Sequence, residues 1–185
     1  MLNLGQRHEL RPPDLRLVQP LLDDRPACGW SRVRDTDLWQ RNIKQFKASL
    51  LDEVLPQVEK NYRAQSDRKS RAIAGLSMGG GQTLNIAFNR PDLFRYVVMM
   101  SPAAGPQAEQ QYPAIFKDPS GINKQFKLFW IGVGKDDTLV GPGVRALDPV
   151  LTKAGIKHTF TIGDGRHEWT VWRHNLNDVA PLLFR

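Results

Sequence analysis

Ser77 stands in the stretch Ile73-Ala-Gly-Leu-Ser-Met-Gly-Gly-Gly81, where a short apolar run gives way to glycines and then to a helical pattern. Residues 75–79 fit G-x-S-x-G in the context that gives the pattern meaning, a strand before it and a helix after it. That turn exposes a serine hydroxyl as a nucleophile. Side chains at positions 75 or 79 are expected to collide across the bend, and the Met78 N–H, at the start of the helix, is placed to donate to a developing oxyanion.

A serine hydroxyl attacks a carbonyl only when a base takes its proton and a carboxylate orients the base. Val133-Gly-Lys-Asp-Asp137 follows an apolar strand run, and Gly165-Arg-His167 falls in the loop after the last strand run. The order Ser77, acid, His167 is that of this kind of turn. Asp137 is preferred to Asp136 because it falls three residues after Gly134, which leaves Asp136 to cap the loop. Of the other histidines, His8 precedes the folded pattern, His158 sits inside a strand run, and His174 sits in the last helix. The chemistry these residues suit is acyl transfer to water, which requires no metal or organic cofactor.

These residues need elements to hold them. Trp39, Ile43, Phe46, Leu50, Val54 and Val58 recur at helical spacing and predict an amphipathic helix with a buried stripe, kinked or restarted at Pro56. Strands are predicted at 71–76, 96–100, 126–133 and 157–162, with helices at 78–90, 144–154 and 169–183. Strands alternating with helices imply an α/β fold with a mostly parallel sheet in three layers. Residues 101–123 hold four prolines and read as a long surface excursion, of a length uncommon unless it shapes a site. The segment Leu15–Leu22 is a candidate edge strand, since Pro20 argues against a central one.

The chain has 185 residues and a formal net charge of +7. One domain over 1–185 is expected, with 1–37 an atypical N-terminal segment. The excess charge spreads along the chain without a basic run, so nucleic-acid binding is not indicated. Cys28 is the only cysteine, which rules out an intrachain disulfide and a cysteine-based metal cluster. No window approaches a membrane span and the N-terminal residues lack a signal peptide's apolar stretch, while the native compartment stays open.

From about Asp52 to Arg185 the chain resembles the serine esterases of the feruloyl esterase and acetyl xylan esterase group, relatives of esterase D. The likeness rests on Ile73-Ala-Gly-Leu-Ser-Met-Gly-Gly80, Leu128-Phe-Trp-Ile-Gly-Val-Gly-Lys-Asp-Asp137 and Gly165-Arg-His-Glu-Trp-Thr-Val-Trp172. It implies an α/β-hydrolase fold with Ser77 as nucleophile, Asp137 as acid and His167 as base. The implied substrates are carboxylic esters of plant polysaccharides, feruloyl or acetyl, with Trp169 lining a cleft that stacks an aromatic acyl group or a sugar. The alternative for the two tryptophans, above all for Trp172, is that they pack the final helix. Residues 1–37 do not match the group, whose members carry further strands before the first helix, so the fold is expected to be N-terminally truncated. The strand at 71–76 then has an open edge, to be covered by Leu15–Leu22 or by a second chain, and a homo-oligomer is expected. A general short-chain acyl esterase and a non-catalytic interaction protein are the alternative readings.

Overall fold

The computed structural model describes residues 36–185. The chain divides into two compact units, Met1–Trp39 and Gln40–Arg185, and the second carries the sheet. The segment Leu15–Leu22 lies outside the described residues.

Helix α1 (Thr36–Ala48) runs through a π-helical turn at Ser49–Val54 into α2 (Leu55–Asn61). Pro56 sits in the first turn of α2, where its missing N–H costs least, and the widened turn just before it marks the restart. Strand β1 (Ala72–Leu76) is followed by α3 (Met78–Asn89) and β2 (Tyr96–Met100). Three short helices come next, α4 (Ala108–Gln111), α5 (Pro113–Lys117) and α6 (Pro119–Gln125). Strand β3 (Leu128–Gly134), α7 (Gly141–Lys153), β4 (Thr159–Gly163) and α8 (Trp169–Val179) complete the order.

The four strands pair in chain order, β1-β2-β3-β4, and every pair is parallel. Right-handed crossovers between strands taken in chain order carry all the connecting helices to one face of the sheet. The packing follows that rule. Ile73, Val97, Met99, Ile131 and Val133 share a core with α3, the three short helices and α7. Alternate residues Val98, Met100 and Trp130 face the other way and pack on Val171, Trp172 and Val179 of α8. The result is three layers, with β2 buried on both faces and apolar throughout.

Two expectations need correction. The stretch 101–123 is more than a surface excursion: Ala108, Ile115 and Ile122 are buried in the larger core and Phe88 packs edge-on to Tyr112 and Phe116. Short helices started by Pro113 and Pro119 turn their apolar residues onto the sheet. The stripe along α1 and α2 is also only partly covered: the side chain of Trp39 lies outside what the structure describes, and Ile43 is half-buried. Leu50 and Leu51 touch the core, but Phe46, Val54 and Val58 remain 42%, 49% and 40% exposed. The reason is the sheet order: among the described residues β1 has no strand on its outer side, so a helix beside it meets protein on one flank alone. A groove of about 340 Å³, lined by Phe46, Leu50, Leu55, Ile73 and Phe94 among others, runs along that edge.

Replacing Ile131, which is fully buried, with Ala is expected to cost about 2–5 kcal/mol in denaturant unfolding. Val58→Ala should stay within about 0.5 kcal/mol, as for surface positions. A cost at Val58 matching that at Ile131 would contradict the open stripe.

Candidate active site

The parallel register aligns Leu76, Met100, Gly132 and Thr161, so the loops after all four strands gather along the same end of the sheet. Ser77 is the single residue between β1 and α3 and adopts φ 51°, ψ −119°. For a residue with a side chain that conformation costs about 1–3 kcal/mol. Its backbone is held on both sides. The Ser77 N–H donates to the Met100 carbonyl at 2.9 Å, and the Ser77 carbonyl accepts from the N–H groups of Ala103 at 2.8 Å and Gly81 at 3.2 Å. Such bonds contribute about 0.5–1.5 kcal/mol each, enough together to offset the strain.

The glycines around Ser77 divide differently from expectation. A Cβ at Gly75 would lie 2.2 Å from the Gly79 carbonyl oxygen, so position 75 must lack a side chain. At Gly79 nothing among the described residues lies within 4 Å of such an atom, and the expected collision there is absent. The tight contacts belong instead to Gly80, against Pro102 at 2.8 Å, and Gly81, against the Ala103 oxygen at 2.6 Å. Those two glycines let α3 approach the segment after β2, the segment that grips Ser77. Ser101, fully buried, turns the chain there with φ 43°.

Asp137 and His167, expected from the sequence as acid and base, are brought together by two interlaced loops. Lys135 N–H donates to the Gly163 carbonyl at 2.7 Å and Asp136 N–H to that of Gly165 at 2.9 Å. A side chain at Gly134 would strike the carbonyls of Gly165 and Arg166 at 2.6 and 2.7 Å, so the loops can meet only through a glycine. His167 Nδ1 lies 2.7 Å from Asp137 Oδ2, and its Nε2 lies 2.8 Å from Ser77 Oγ. A carboxylate only accepts, so Nδ1 carries the proton and Nε2 is left to accept from the serine hydroxyl.

Asp137 is 1% exposed. Burial pushes its carboxyl up, but the hydrogen bond from His167 and those from the Val140 and Leu139 N–H groups, both at 3.0 Å, together hold it below the ordinary range. It therefore stays ionised beside the imidazole at neutral pH. Asp136, the other carboxylate weighed from the sequence, is exposed and lines a neighbouring pocket, and the bond to His167 is made by Asp137 instead.

Met78 opens α3, and its N–H has no carbonyl four residues back within the helix. Trp169 opens α8 and is 67% exposed, its ring edge-on to that of Trp172 at 5.3 Å. Trp172 in turn is buried and meets His167 edge-on at 5.1 Å and 87°. This wall behind the imidazole went unassigned from the sequence, where only the one-turn spacing of the two tryptophans hinted at it. Both ring nitrogens of His158 are taken up by the Ile156 carbonyl and Asp148, outside this cluster, and His174 is exposed on α8. Among the described residues no group of three or more His, Cys, Asp or Glu is arranged to hold a metal ion, and no helix is long and apolar enough to cross a membrane.

The sequence model of the putative esterase family matches residues 32–183. The chain belongs to that family. It is 32% identical over 143 residues to an endo-1,4-beta-xylanase/feruloyl esterase of Xylanibacter ruminicola, covering 77% of this chain and 18% of that protein. A solved ferulic acid esterase, 27% identical, superposes with a TM-score of 0.61 over 74% of this chain and 60% of its own. The ferulic acid esterase of Anaeromyces mucronatus in complex with ferulic acid, 20% identical, superposes with a TM-score of 0.68 over 82% of this chain and 58% of its own. The chain thus spans less than two thirds of the length of each of these proteins. The family match and the parallel sheet flanked by helices give an α/β-hydrolase type of fold.

Gly75→Ala is expected to destabilise the protein by about 1–3 kcal/mol or more through overpacking. Gly79→Ala, in an open helical position, should instead stabilise it by up to about 1 kcal/mol. Urea midpoints of the two variants check both, and a large loss at Gly79 would contradict the contacts described.

Proposed function

We propose that the protein is a serine carboxylesterase that hydrolyses esters through an acyl-enzyme on Ser77. The observation that carries this reading is the unbroken sequence of hydrogen-bonding atoms from Asp137 through His167 to Ser77 Oγ, at 2.7 and 2.8 Å. Ser77 Oγ attacks the ester carbonyl as His167 Nε2 takes its proton, Asp137 stabilises the imidazolium, and the Met78 N–H donates to the oxyanion. The tetrahedral adduct collapses, the C–O bond to the alcohol breaks, and His167 returns the proton to the departing oxygen. Water then repeats the attack on the acyl-enzyme, releasing the acid and restoring the serine hydroxyl.

The preferred substrates are feruloyl or acetyl esters of plant polysaccharides, feruloyl first. Two observations support an aromatic acyl group: the exposed ring of Trp169, two residues after His167, and the similarity to proteins described as feruloyl esterases. The chain is further proposed to associate with copies of itself. Among the described residues β1 has no neighbour on its outer edge and Phe46, Val54 and Val58 are exposed beside it, which supports this, because an unpaired strand edge beside apolar surface is a template for another chain.

Hydrolysis of methyl ferulate and p-nitrophenyl acetate tests the chemistry. Ser77→Ala is expected to lower kcat/KM by about 10⁴-fold or more on both, as loss of a nucleophile does. Faster turnover of methyl ferulate than its unactivated leaving group allows would favour the feruloyl reading. Activity that persists in Ser77→Ala would refute the mechanism. Light scattering at micromolar concentration is expected to give a mass above that of one chain, and a monomeric mass would overturn the proposed association.

A further inference from the structure

Met78 brings a thioether to the start of α3, directly after Ser77. It is 48% exposed. The helix beside it is open as well, since a Cβ at Gly79 would have nothing among the described residues within 4 Å. The other methionines differ. Met99 and Met100 lie on β2 and are 0% and 7% exposed, and Met1 lies outside the described residues. Among the described residues Met78 is therefore the one methionine open to a dissolved reagent.

The reagent a thioether meets most readily is a peroxide. A sulfur lone pair attacks one peroxide oxygen, and the S–O bond forms as the O–O bond breaks. The sulfur is oxidised by two electrons, and the other oxygen takes the proton and leaves as water. The product, methionine sulfoxide, is polar and chiral where the thioether was flexible and apolar, and reductases return it to the thioether.

At position 78 the new oxygen falls beside the groups that the proposed mechanism uses. The first N–H groups of a helix have no carbonyl partner inside it. Ser77, which precedes α3, makes no side-chain cap, because its hydroxyl meets His167 instead. Of the first four N–H groups, that of Gly81 is taken by the Ser77 carbonyl at 3.2 Å. Those of Met78, Gly79 and Gly80 have no partner within α3 and stand at the positive end of its dipole, where a partly negative sulfoxide oxygen is attracted. It would compete there with the oxyanion assigned to the Met78 N–H. We infer that Met78 is a reversible oxidation site, converted by peroxide to the sulfoxide ahead of Met99 and Met100, and that this conversion lowers turnover at Ser77. The effect on turnover rests on the esterase reading, and the selectivity of the oxidation does not.

The test treats the protein with hydrogen peroxide and follows two readouts in the same samples: the sites of added oxygen by peptide mass spectrometry, and hydrolysis of p-nitrophenyl acetate. Sulfoxide is expected at Met78 at least about tenfold faster than at Met99 and Met100, because the oxidant must touch the sulfur to react. In step with it, kcat is expected to fall about tenfold or more, towards the ~10²- to 10³-fold effect of a lost oxyanion donor. A methionine sulfoxide reductase should restore it. Met78→Leu, which lacks the sulfur, is compared with its own untreated sample and should show no peroxide-dependent loss. Oxidation of Met78 no faster than that of Met99 and Met100 would overturn the site, and the mass spectrum reads this whether or not the protein hydrolyses esters. A sulfoxide at Met78 that leaves turnover unchanged, or equal losses in wild type and Met78→Leu, would overturn its effect. Untreated wild type no faster than Ser77→Ala would instead mark failure of the esterase reading, and the effect on turnover would fall with it.

Discussion

The left-handed backbone of Ser77 is the constraint on which the rest of the site depends. A strand that ends and a helix that begins around one residue leave no ordinary conformation for it, and its φ of 51° must be held from outside. The holding comes from the next strand, through the Met100 carbonyl and the Ala103 N–H. Gly80 and Gly81 are small because that segment has to come close, and Gly75 is small because the turn folds back on itself. The hydroxyl that results projects at the end of the sheet where the loops carrying Asp137 and His167 also emerge.

The same parallel order explains why the other partners can be supplied by loops. Parallel strands deliver all their C-terminal ends to one side, and ligands of open α/β sheets bind there. The Gly134 contact then lets the histidine loop rest on the acid loop, and Trp172 backs the imidazole from α8. Burial by itself would favour a neutral Asp137. The hydrogen bonds from His167, Val140 and Leu139 outweigh it, so the carboxylate is charged where an imidazolium would need it.

Much of this was legible in the sequence because it is local. The strand runs, the helix after Ser77 and the glycines of the turn lie within a few residues of one another, and Asp137 and His167 fall in loops that periodicity delimits. What was misread is nonlocal. That the close contacts fall at Gly80 and Gly81 and not at Gly79 depends on where Pro102 and Ala103 return, which no window around Ser77 reveals. Helical spacing in α1 and α2 marks an apolar stripe but not what covers it, and with β1 at the edge of the described sheet Phe46, Val54 and Val58 stay exposed. The helices between β2 and β3 are too short and too interrupted by prolines to show a period, although they bury Ile115 and Ile122. Trp172 meets His167 only because α8 crosses the sheet face opposite the other helices.

The central claim is that Ser77 is activated by its neighbours, and covalent trapping tests it without any assumption about the natural ester. Wild type and His167→Ala are treated with a fluorophosphonate, and the adduct is located by mass spectrometry. One adduct per chain, on Ser77, forming far more slowly in His167→Ala, is the expected result. No adduct on Ser77, or equal labelling with and without the histidine, would contradict it.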